Sequence, residues 1–262
     1  MLGPTVAVEH RGRIMQTVVG YHRPESLEEA LSLLGRGSPE SVILAGGTSL
    51  NASPPDRNVE VVDLQAIGYN QIAAEGSLVE IGSMARLADL ATHEAIPELL
   101  RELARREGPN TLRNAATVGG TIATGHPESE LVAGFLVYEA RVNLAAAGGV
   151  MSTSTLEELL ADRELLQGTI IVSIVIESGG QAAAARTGRT PSDTSIVAAV
   201  GRRTGSGIRM ALTGVAATPI LIDPGAGGDV EPPGDFRGSP AYRRHLAATL
   251  TARVIQELGD RP

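Results

Sequence analysis

Apolar residues along this chain recur with two periods, which together predict a mixture of helices and strands. In several segments they lie three or four positions apart, the spacing of an amphipathic helix. Ser26 and Thr155 precede two of these segments as capping residues, and Glu29 follows Ser26 at the spacing of a capping box. The helices predicted in this way cover 27–34, 84–91, 97–104, 128–138, 155–160 and 242–258.

Short continuous apolar runs predict buried strands. Gly148-Gly149 and Gly205-Ser206-Gly207 mark two of the connections between such runs as hairpins. Another run leads directly into Gly46-Gly47, at the carboxyl end of a strand, where open α/β sheets usually hold ligands. The predicted strands are 18–21, 42–45, 59–64, 78–82, 141–145, 150–154, 169–177, 196–201 and 208–215.

The order of these elements predicts an α+β protein built from three lobes. A Gly- and Ala-rich stretch, Ser178–Ala185, is expected to be a linker, and Pro224–Pro240 an irregular connection. The first residues lack an apolar signal core and are expected to be flexible, with Met15 as an alternative start. The predicted units are a tail at 1–14, lobe one at 15–64, lobe two at 65–177 and a C-terminal lobe at 178–262.

Two glycine-rich segments are the candidate binding elements. Asn110–Leu131 lacks a long helical or strand period and is predicted to be a loop, in which Gly119 and Gly120 can adopt positive φ and let a ligand approach the backbone closely. Successive free N–H groups in such a turn form a nest for phosphate. Ala45–Leu50 has the same character, and two facing nests would suit a diphosphate. The alternative is that both are ordinary surface turns that never meet.

Composition narrows the function further. The net charge of −8 and the scarcity of aromatic residues, with four Tyr, two Phe and no Trp, disfavour nucleic-acid binding. All 22 basic residues are Arg, which excludes a Walker lysine and Schiff-base chemistry. Cys is absent, so the chain provides no thiolate metal site or iron–sulfur cluster, and its five His show no metal-ligand spacing. The chain has no long apolar segment, so a membrane span is not expected. A cytoplasmic location is the expected one.

Both glycine segments resemble the flavin-binding signatures of a known family. Ile43–Leu50 and Arg113–Ala123, the latter followed by Pro127 and Glu130-Leu131, are similar to those of the FAD subunit of molybdenum hydroxylases. This family includes the medium subunit of carbon monoxide dehydrogenase and the FAD domain of xanthine dehydrogenase. The resemblance runs in order from about residue 15 to the C-terminus. Further matches lie at Tyr21–Leu27, Val62–Leu64, Glu80–Met84, Leu212–Pro219 and Arg237–Arg244.

The resemblance implies a fold and a set of cofactor contacts. The fold is the FAD-binding type of vanillyl-alcohol-oxidase-like proteins, in which two α+β lobes hold extended FAD and a third lobe abuts the flavin ring. Glu130 would bond a ribose hydroxyl, and Arg186 falls near the flavin. No residue is expected to be catalytic or to bind a metal. The diphosphate and ribityl contacts would come from Ala45, Gly46, Gly47, Thr48, Ser49, Leu50, Thr117, Val118, Gly119, Gly120, Thr121 and Thr124.

Some positions depart from the family pattern. Thr121 stands where Asn is commonest, and Thr124 and His126 replace a frequent Asn or His and a frequent Asp. The segment Pro224–Pro240 is shorter than the helical segment that members usually carry. These departures affect the expected tightness of FAD binding and the partner interface more than the fold.

The resemblance also implies a function within a complex. The chain would be an electron-transfer flavoprotein that takes electrons from an iron–sulfur subunit, beside a molybdopterin subunit, in an (αβγ)2 assembly. FAD would then reduce an external acceptor. Two alternatives stay open. One is a stand-alone flavin oxidase, for which His126 and Asp193 are weak candidates as a general base. The other is a degenerate scaffold that binds no flavin.

Overall fold

The computed structural model describes residues 18–190 and 193–260. The tail predicted at 1–14 and the alternative start at Met15 lie outside the described residues. Three separate sheets organise the described part of the chain, and they follow one another along the sequence. This arrangement confirms the predicted α+β architecture, in which two lobes are followed by a third, C-terminal lobe.

The first sheet is small and parallel. Its strands β1 (Val18–His22), β2 (Glu40–Leu44) and β3 (Val59–Asp63) pair in the order β1-β3-β2. The helices α1 (Leu27–Leu34) and α2 (Thr48–Ala52) accompany it, and the second was not predicted. The predicted cap of α1 is confirmed in part: Ser26 Oγ accepts from the Glu29 N–H, whereas the Glu29 carboxylate accepts from the Glu25 N–H instead of that of Ser26.

The second sheet is antiparallel, with strands in the order β4-β5-β8-β6-β7. They are β4 (Ile72–Glu75), β5 (Leu78–Gly82), β6 (Arg141–Ala146), β7 (Val150–Thr155) and β8 (Thr169–Glu177). The predicted hairpin at Gly148-Gly149 is confirmed as the connection between β6 and β7. Strand β4 was missed, because only Ile72 among its four residues is large and apolar.

Helices of this second lobe lie between its strands. They are α3 (Leu87–Leu90), α4 (Glu98–Arg106), α5 (Asn110–Arg113), α6 (Val118–Thr124), α7 (Glu130–Val137) and α8 (Leu156–Ala161). All eight residues of α7 are buried, which explains why its apolar pattern has no polar face. Ser129 caps α7, and Thr155 with Glu158 forms a complete capping box at α8.

The prediction of a loop over Asn110–Leu131 is wrong. This segment contains α5, α6 and the start of α7, joined by short turns. Thr117 caps α6 with its hydroxyl, and Gly119 and Gly120 lie inside the helix without positive φ. Val118 and Ile122 are the only bulky apolar residues among the seven of α6, and two residues are too few to reveal a helical period.

The third sheet is antiparallel, in the order β12-β11-β10-β9. It consists of β9 (Gln181–Thr187), β10 (Val197–Thr204), β11 (Gly207–Thr213) and β12 (Ile220–Ile222), and the helix α9 (Pro240–Asp260) packs on it. The predicted linker Ser178–Ala185 is wrong, because most of it forms β9 and pairs along its length with β10. A run of alanines carries little strand signal, so neighbouring strands decide its structure.

Apolar packing joins the three sheets. One cluster contains Val142, Ile174 and α7 together with Val200 and Ala211 of the third sheet, so α7 is buried between sheets two and three. Another cluster joins α1 to residues of β6 and β8. None of the described helices is long and apolar enough to span a membrane.

Candidate functional site

The two glycine segments meet in the structure. A Cβ atom built on Gly46 would lie 2.0 Å from the carbonyl oxygen of Ala115, so the two backbones are in direct contact. This contact requires glycine at position 46 and joins the first lobe to the second. The alternative in which the two segments never meet is therefore excluded.

A cleft with two chambers lies along this contact. The first chamber has a volume of about 350 Å³ and lies between the Ala45–Leu50 segment, α6 and strand β8. The second has a volume of about 470 Å³ and extends to α4, α7 and Thr194 of the third lobe. The walls of both chambers share a set of residues that we call the waist: Thr48, Ser49, Ser53, Gly120 and Thr124.

The first-lobe side of the waist offers unpaired hydrogen-bond donors. The helix α2 begins after Gly47, whose φ of 72° is left-handed, and no side chain caps it. Within the described part of the chain, the N–H groups of Gly47, Thr48, Ser49 and Leu50 donate to no protein acceptor. The first N–H groups of a helix have no partner within the helix, so these four remain available to a ligand.

The second-lobe side of the waist differs, and the predicted nest at Gly119 and Gly120 is wrong. Each N–H group at the start of α6 already has a protein acceptor. The distances are 2.9 Å from Val118 N to Ala85 O, 2.8 Å from Gly119 N to Ser83 O, 3.1 Å from Gly120 N to Thr117 Oγ1, and 2.9 Å from Thr121 N to Thr117 O. Capping thus leaves this helix start without free donors.

The hydroxyl groups of α6 are also engaged. Thr121 Oγ1 donates to Thr117 O at 3.0 Å, and Thr124 Oγ1 donates to Gly120 O at 2.9 Å. A hydroxyl oxygen that donates its hydrogen still has lone pairs to accept one. The threonines of α6 therefore present acceptors to the cleft, whereas the first lobe presents donors.

The two adjacent glycines of α6 have different surroundings. A Cβ on Gly119 would lie 2.7 Å from Ser83 Cβ and 3.0 Å from Ser83 O, so this glycine allows α6 to pack against the end of β5. A Cβ on Gly120 would approach only Thr117 Oγ1, at 3.0 Å, and Gly120 lines the waist. The second glycine is thus the one that leaves room for a ligand.

A buried carboxylate, Asp63, fixes the start of the Ala45–Leu50 segment through a chain of hydrogen bonds. Asp63 is 2% exposed, accepts a hydrogen bond from Tyr21 Oη, and also accepts from the Gln65 N–H at 2.9 Å. The Gln65 side chain then donates to Ala45 O at 3.1 Å, directly before Gly46. This chain of bonds fixes the peptide that leads into the unpaired donors. The Asp63 bond raises the pKa of the Tyr21 hydroxyl.

Glu130 lies on the wall of the second chamber and is 5% exposed. Its carboxylate forms ion pairs with Arg186 Nε at 2.8 Å and with Arg106 Nη1 at 3.3 Å. Arg186 comes from β9 of the third lobe and does not itself line either chamber. The proposed ribose ligand and the proposed flavin neighbour therefore bond to each other and connect the second lobe to the third.

Sequence reasoning missed Glu107, a second carboxyl group at this chamber. It follows the last residue of α4 and accepts from Ser129 Oγ at 2.8 Å and from the Leu131 N–H at 2.9 Å. Burial raises the pKa of the Glu107 carboxyl to about 7, and the charge of Glu130 adds to this, although both hydrogen bonds oppose it. No sequence signal distinguishes Glu107 from the other acidic residues near helix ends.

The two weak candidates for a general base lie in different places. His126 lines the second chamber, whereas Asp193 lines a separate cavity of about 220 Å³ and lies 3.6 Å from Arg189. The structure therefore does not bring them together. No group of three or more potential metal ligands occurs within residues 18–190 and 193–260.

The walls of the cleft fit an extended ligand that carries a diphosphate. None of the described residues that line the first chamber is charged, and Ile43, Leu64 and Ile170 are among them. Unpaired N–H groups lie at the waist, where they can bond phosphate oxygens. In the second chamber, the acidic residues Glu107 and Glu130 favour hydroxyl donors over phosphate.

Comparison with known proteins identifies the family to which the chain belongs. Residues 15–176 match the family described as "FAD binding domain in molybdopterin dehydrogenase". The protein YgfM of Escherichia coli (strain K12) is 30% identical over 256 residues, which cover 90% of this chain and 95% of YgfM. The carbon monoxide dehydrogenase medium chain of Hydrogenophaga pseudoflava is 28% identical, with 90% and 95% of the two chains covered.

Solved structures show the same fold. A chain of carbon monoxide dehydrogenase from Hydrogenophaga pseudoflava superimposes with a TM-score of 0.82 at 25% identity, covering 91% of this chain and 96% of that one. A chain of quinoline 2-oxidoreductase from Pseudomonas putida 86 superimposes with a TM-score of 0.79 at 21% identity, covering 91% of this chain and 96% of that one. The matched segment 15–176 is more than half of the 262 residues and contains both glycine segments and the waist. The chain therefore belongs to the family of FAD binding domains in molybdopterin dehydrogenases, and its cofactor is FAD.

Proposed function

We propose that this chain is the electron-transfer subunit of a molybdenum hydroxylase complex, taking electrons from an iron–sulfur subunit and passing them to an external acceptor. The observation that carries this proposal is the cleft, where four unpaired N–H groups meet two chambers at the contact between two lobes. Relatives named as medium chains of carbon monoxide dehydrogenase and glyceraldehyde dehydrogenase support the same role.

In this proposal the first lobe holds the diphosphate. The N–H groups of Gly47, Thr48, Ser49 and Leu50 donate to phosphate oxygens, and the Gln65–Ala45 bond keeps their segment in place. Gly120 leaves the opposite wall open, so a ligand can approach the backbone closely. Because this site uses neutral dipoles that are already oriented, it needs no cationic side chain.

The second chamber is proposed to take the flavin end of the cofactor. Thr194 of the third lobe lines this chamber, and by family resemblance the third lobe abuts the flavin ring. The sugar chain at this end of FAD is the ribityl chain, so Glu130 accepts a hydrogen bond from a ribityl hydroxyl and not from the ribose hydroxyl that the resemblance implies. Arg106 and Arg186 hold its carboxylate in place. FAD, when bound, supplies the acceptance and release of electrons, and the residues of the chain position it.

Two partner subunits complete the proposed complex. An iron–sulfur small subunit delivers electrons, and a molybdopterin large subunit oxidises the substrate and determines which substrate is used. An (αβγ)2 assembly follows from the family resemblance and is part of the same proposal. The stand-alone flavin oxidase and the scaffold without flavin are the outcomes that would replace it.

The test has two steps. The purified chain is first saturated with FAD and then denatured, and we expect all the flavin in the supernatant, since no Cys is present for a thioether link. The saturated chain is next mixed anaerobically with aldehydes, purines and N-heterocycles while the flavin absorbance is followed. We expect bleaching by dithionite but by none of these substrates, until both partner subunits are added.

Each alternative gives a different result. Rapid bleaching by one substrate without partners would establish a stand-alone enzyme. A chain that takes up no FAD at any concentration would instead support the scaffold. Bleaching that requires the iron–sulfur and molybdenum subunits together supports the electron-transfer role.

A further inference from the structure

Glu107 holds the first turn of α7. Its Oε1 atom accepts from Ser129 Oγ at 2.8 Å and from the Leu131 N–H at 2.9 Å. Ser129 Oγ in turn accepts from the Val132 N–H at 3.1 Å as the cap of the helix. One carboxyl group from the end of α4 therefore satisfies donors of a buried helix start that would otherwise lack a partner.

The turn that Glu107 holds is the one that carries Glu130. Both carboxyl groups lie on the wall of the second chamber, and Glu130 is fixed from its other side by Arg106 and Arg186. A change at Glu107 therefore acts on the chamber in two ways. It moves the turn that carries Glu130, and it changes the charge of the chamber wall.

Several other charged groups surround Glu107. From α4 comes Arg106, which pairs with Glu102 and Glu130. His126 and Glu128 lie between α6 and α7, and Glu128 pairs with Arg237 of the third lobe. The guanidinium of Arg113 at the end of α5 donates to backbone carbonyls at 105 and 108. Among the described residues, no ion pair joins Glu107 to any of these cations, so its carboxyl group has only neutral donors as bonding partners.

We propose that Glu107 is a positioning residue for FAD: it fixes the turn that carries Glu130, and it takes up a proton when FAD occupies the cleft. This inference rests on FAD binding in the cleft as proposed above. The ligand excludes water from the second chamber and brings a negatively charged diphosphate to the waist. Both effects favour the neutral form of a carboxyl group on the chamber wall.

The direction of the pH dependence follows from this coupling. Because burial already raises the pKa of Glu107 to about 7, the group changes its charge near neutrality. FAD raises this pKa further, so FAD binds more tightly to the protonated form. The affinity is therefore highest below pH 7 and falls as the pH rises through it, by roughly tenfold per pH unit at the most for one linked proton.

The experiment measures FAD affinity of the full chain between pH 5.5 and pH 8.5, by titration at constant ionic strength. The wild-type dissociation constant is expected to rise roughly three- to tenfold from pH 6 to pH 8. The variant Glu107→Gln keeps the acceptor oxygen but cannot ionise. It is expected to bind with the wild-type affinity of pH 6 across the whole range.

Matched variants distinguish Glu107 from its neighbours at this chamber. His126→Gln, which removes the imidazole that lines the same chamber, is expected to keep the wild-type dependence of the dissociation constant on pH. Glu107→Ala, which removes the acceptor, is expected to bind FAD more weakly than Glu107→Gln at every pH. The proposal would be overturned if the FAD dissociation constant of Glu107→Gln still rose with pH, or if that of His126→Gln no longer did.

A measurement on the wild-type chain covers the case in which variants do not fold. Calorimetric titration with FAD at pH 7, in buffers of different ionisation enthalpy, reports the number of protons taken up on binding. We expect net uptake of a fraction of one proton at pH 7 and none at pH 5.5. Binding without proton uptake at pH 7 would refute the inference but leave the proposed function intact, whereas absence of FAD binding at all pH values would refute the proposed function itself.

Discussion

Gly119 and Ser83 approach each other so closely that a Cβ on the glycine would lie 2.7 Å from the Cβ of the serine. The Gly119 N–H also donates to Ser83 O at 2.8 Å. This contact holds α6 against the end of β5 and involves no part of the waist. The next residue, Gly120, belongs to the waist and lines both chambers, whereas Gly119 lines only the first chamber and packs against Ser83.

This difference predicts opposite results for two similar substitutions. Gly119→Ala is expected to lower the free energy of unfolding by about 2 kcal/mol, because the extra methyl group overpacks the contact with Ser83. Gly120→Val is expected to change stability by less than about 1 kcal/mol, because the higher helix propensity of Val offsets the close approach of its Cβ to Thr117 Oγ1. It is expected to abolish FAD binding by filling the waist. Urea unfolding and FAD titration measure the two effects.

Gly119→Val serves as the matched control for Gly120→Val, and we expect it to unfold or to express poorly. If Gly120→Val bound FAD with wild-type affinity, the waist could not be the diphosphate site. If Gly119→Ala were as stable as the wild type, the role of Gly119 in packing would be contradicted.

Arg202 is predicted to be the most stabilising charged residue of the third lobe. Its side chain is 1% exposed, Nε donates to Gly179 O at 2.7 Å, and its Cζ lies 4.8 Å from the centroid of the Tyr138 ring. Nη1 lies 3.4 Å from the Glu139 carboxylate. Arg202→Ala is expected to lower the free energy of unfolding by about 3 kcal/mol, because it leaves a cavity and removes these bonds.

Arg141→Ala is the control for this substitution, since Arg141 is exposed on β6, and we expect a change below about 0.5 kcal/mol. FAD affinity should be unchanged in Arg202→Ala at temperatures where the variant stays folded, because Arg202 lines neither chamber. A loss of FAD affinity without loss of stability would contradict a purely structural role.

The electrostatics of the cleft predict how FAD binding responds to salt. The described lining of the first chamber has no charged side chain, the donors at the waist are backbone groups, and the net charge of the chain is −8. Raising NaCl from about 50 mM to about 500 mM is therefore expected to leave the dissociation constant within about twofold or to lower it, because salt screens repulsion. Weakening by more than about tenfold would show that cations such as Arg106 hold the diphosphate.

Much of the fold could be predicted from the sequence, because most strands carry bulky apolar residues at a recognisable period. Thr169–Glu177 was predicted with the bounds that the structure shows, and the capping residues Ser26 and Thr155 begin helices as expected. The errors at Ser178–Ala185 and at α6 share one cause. Both segments consist mostly of small residues, so their structure is decided by the neighbours against which they pack and by backbone pairing.

The site was predictable to a similar degree. The motif around Gly46 and Gly47 and its partner around Gly119 could be located, and the structure brings them together. The direction of the hydrogen bonds could not be predicted, since whether an N–H group is free depends on acceptors such as Ser83 O that are distant in sequence. Glu107 could not be identified from the sequence either, because the approach of α7 creates its unusual environment.

The contact between Gly46 and Ala115 has a consequence for judging distant relatives of this chain. Position 46 must be glycine for the lobes to meet at all, so a relative that had lost the cofactor would still need it to fold. A glycine at position 46 therefore indicates that the two lobes pack together and does not indicate whether the protein binds flavin. Retention of flavin is better judged at position 120, where a side chain would meet only the Thr117 hydroxyl and would close the waist.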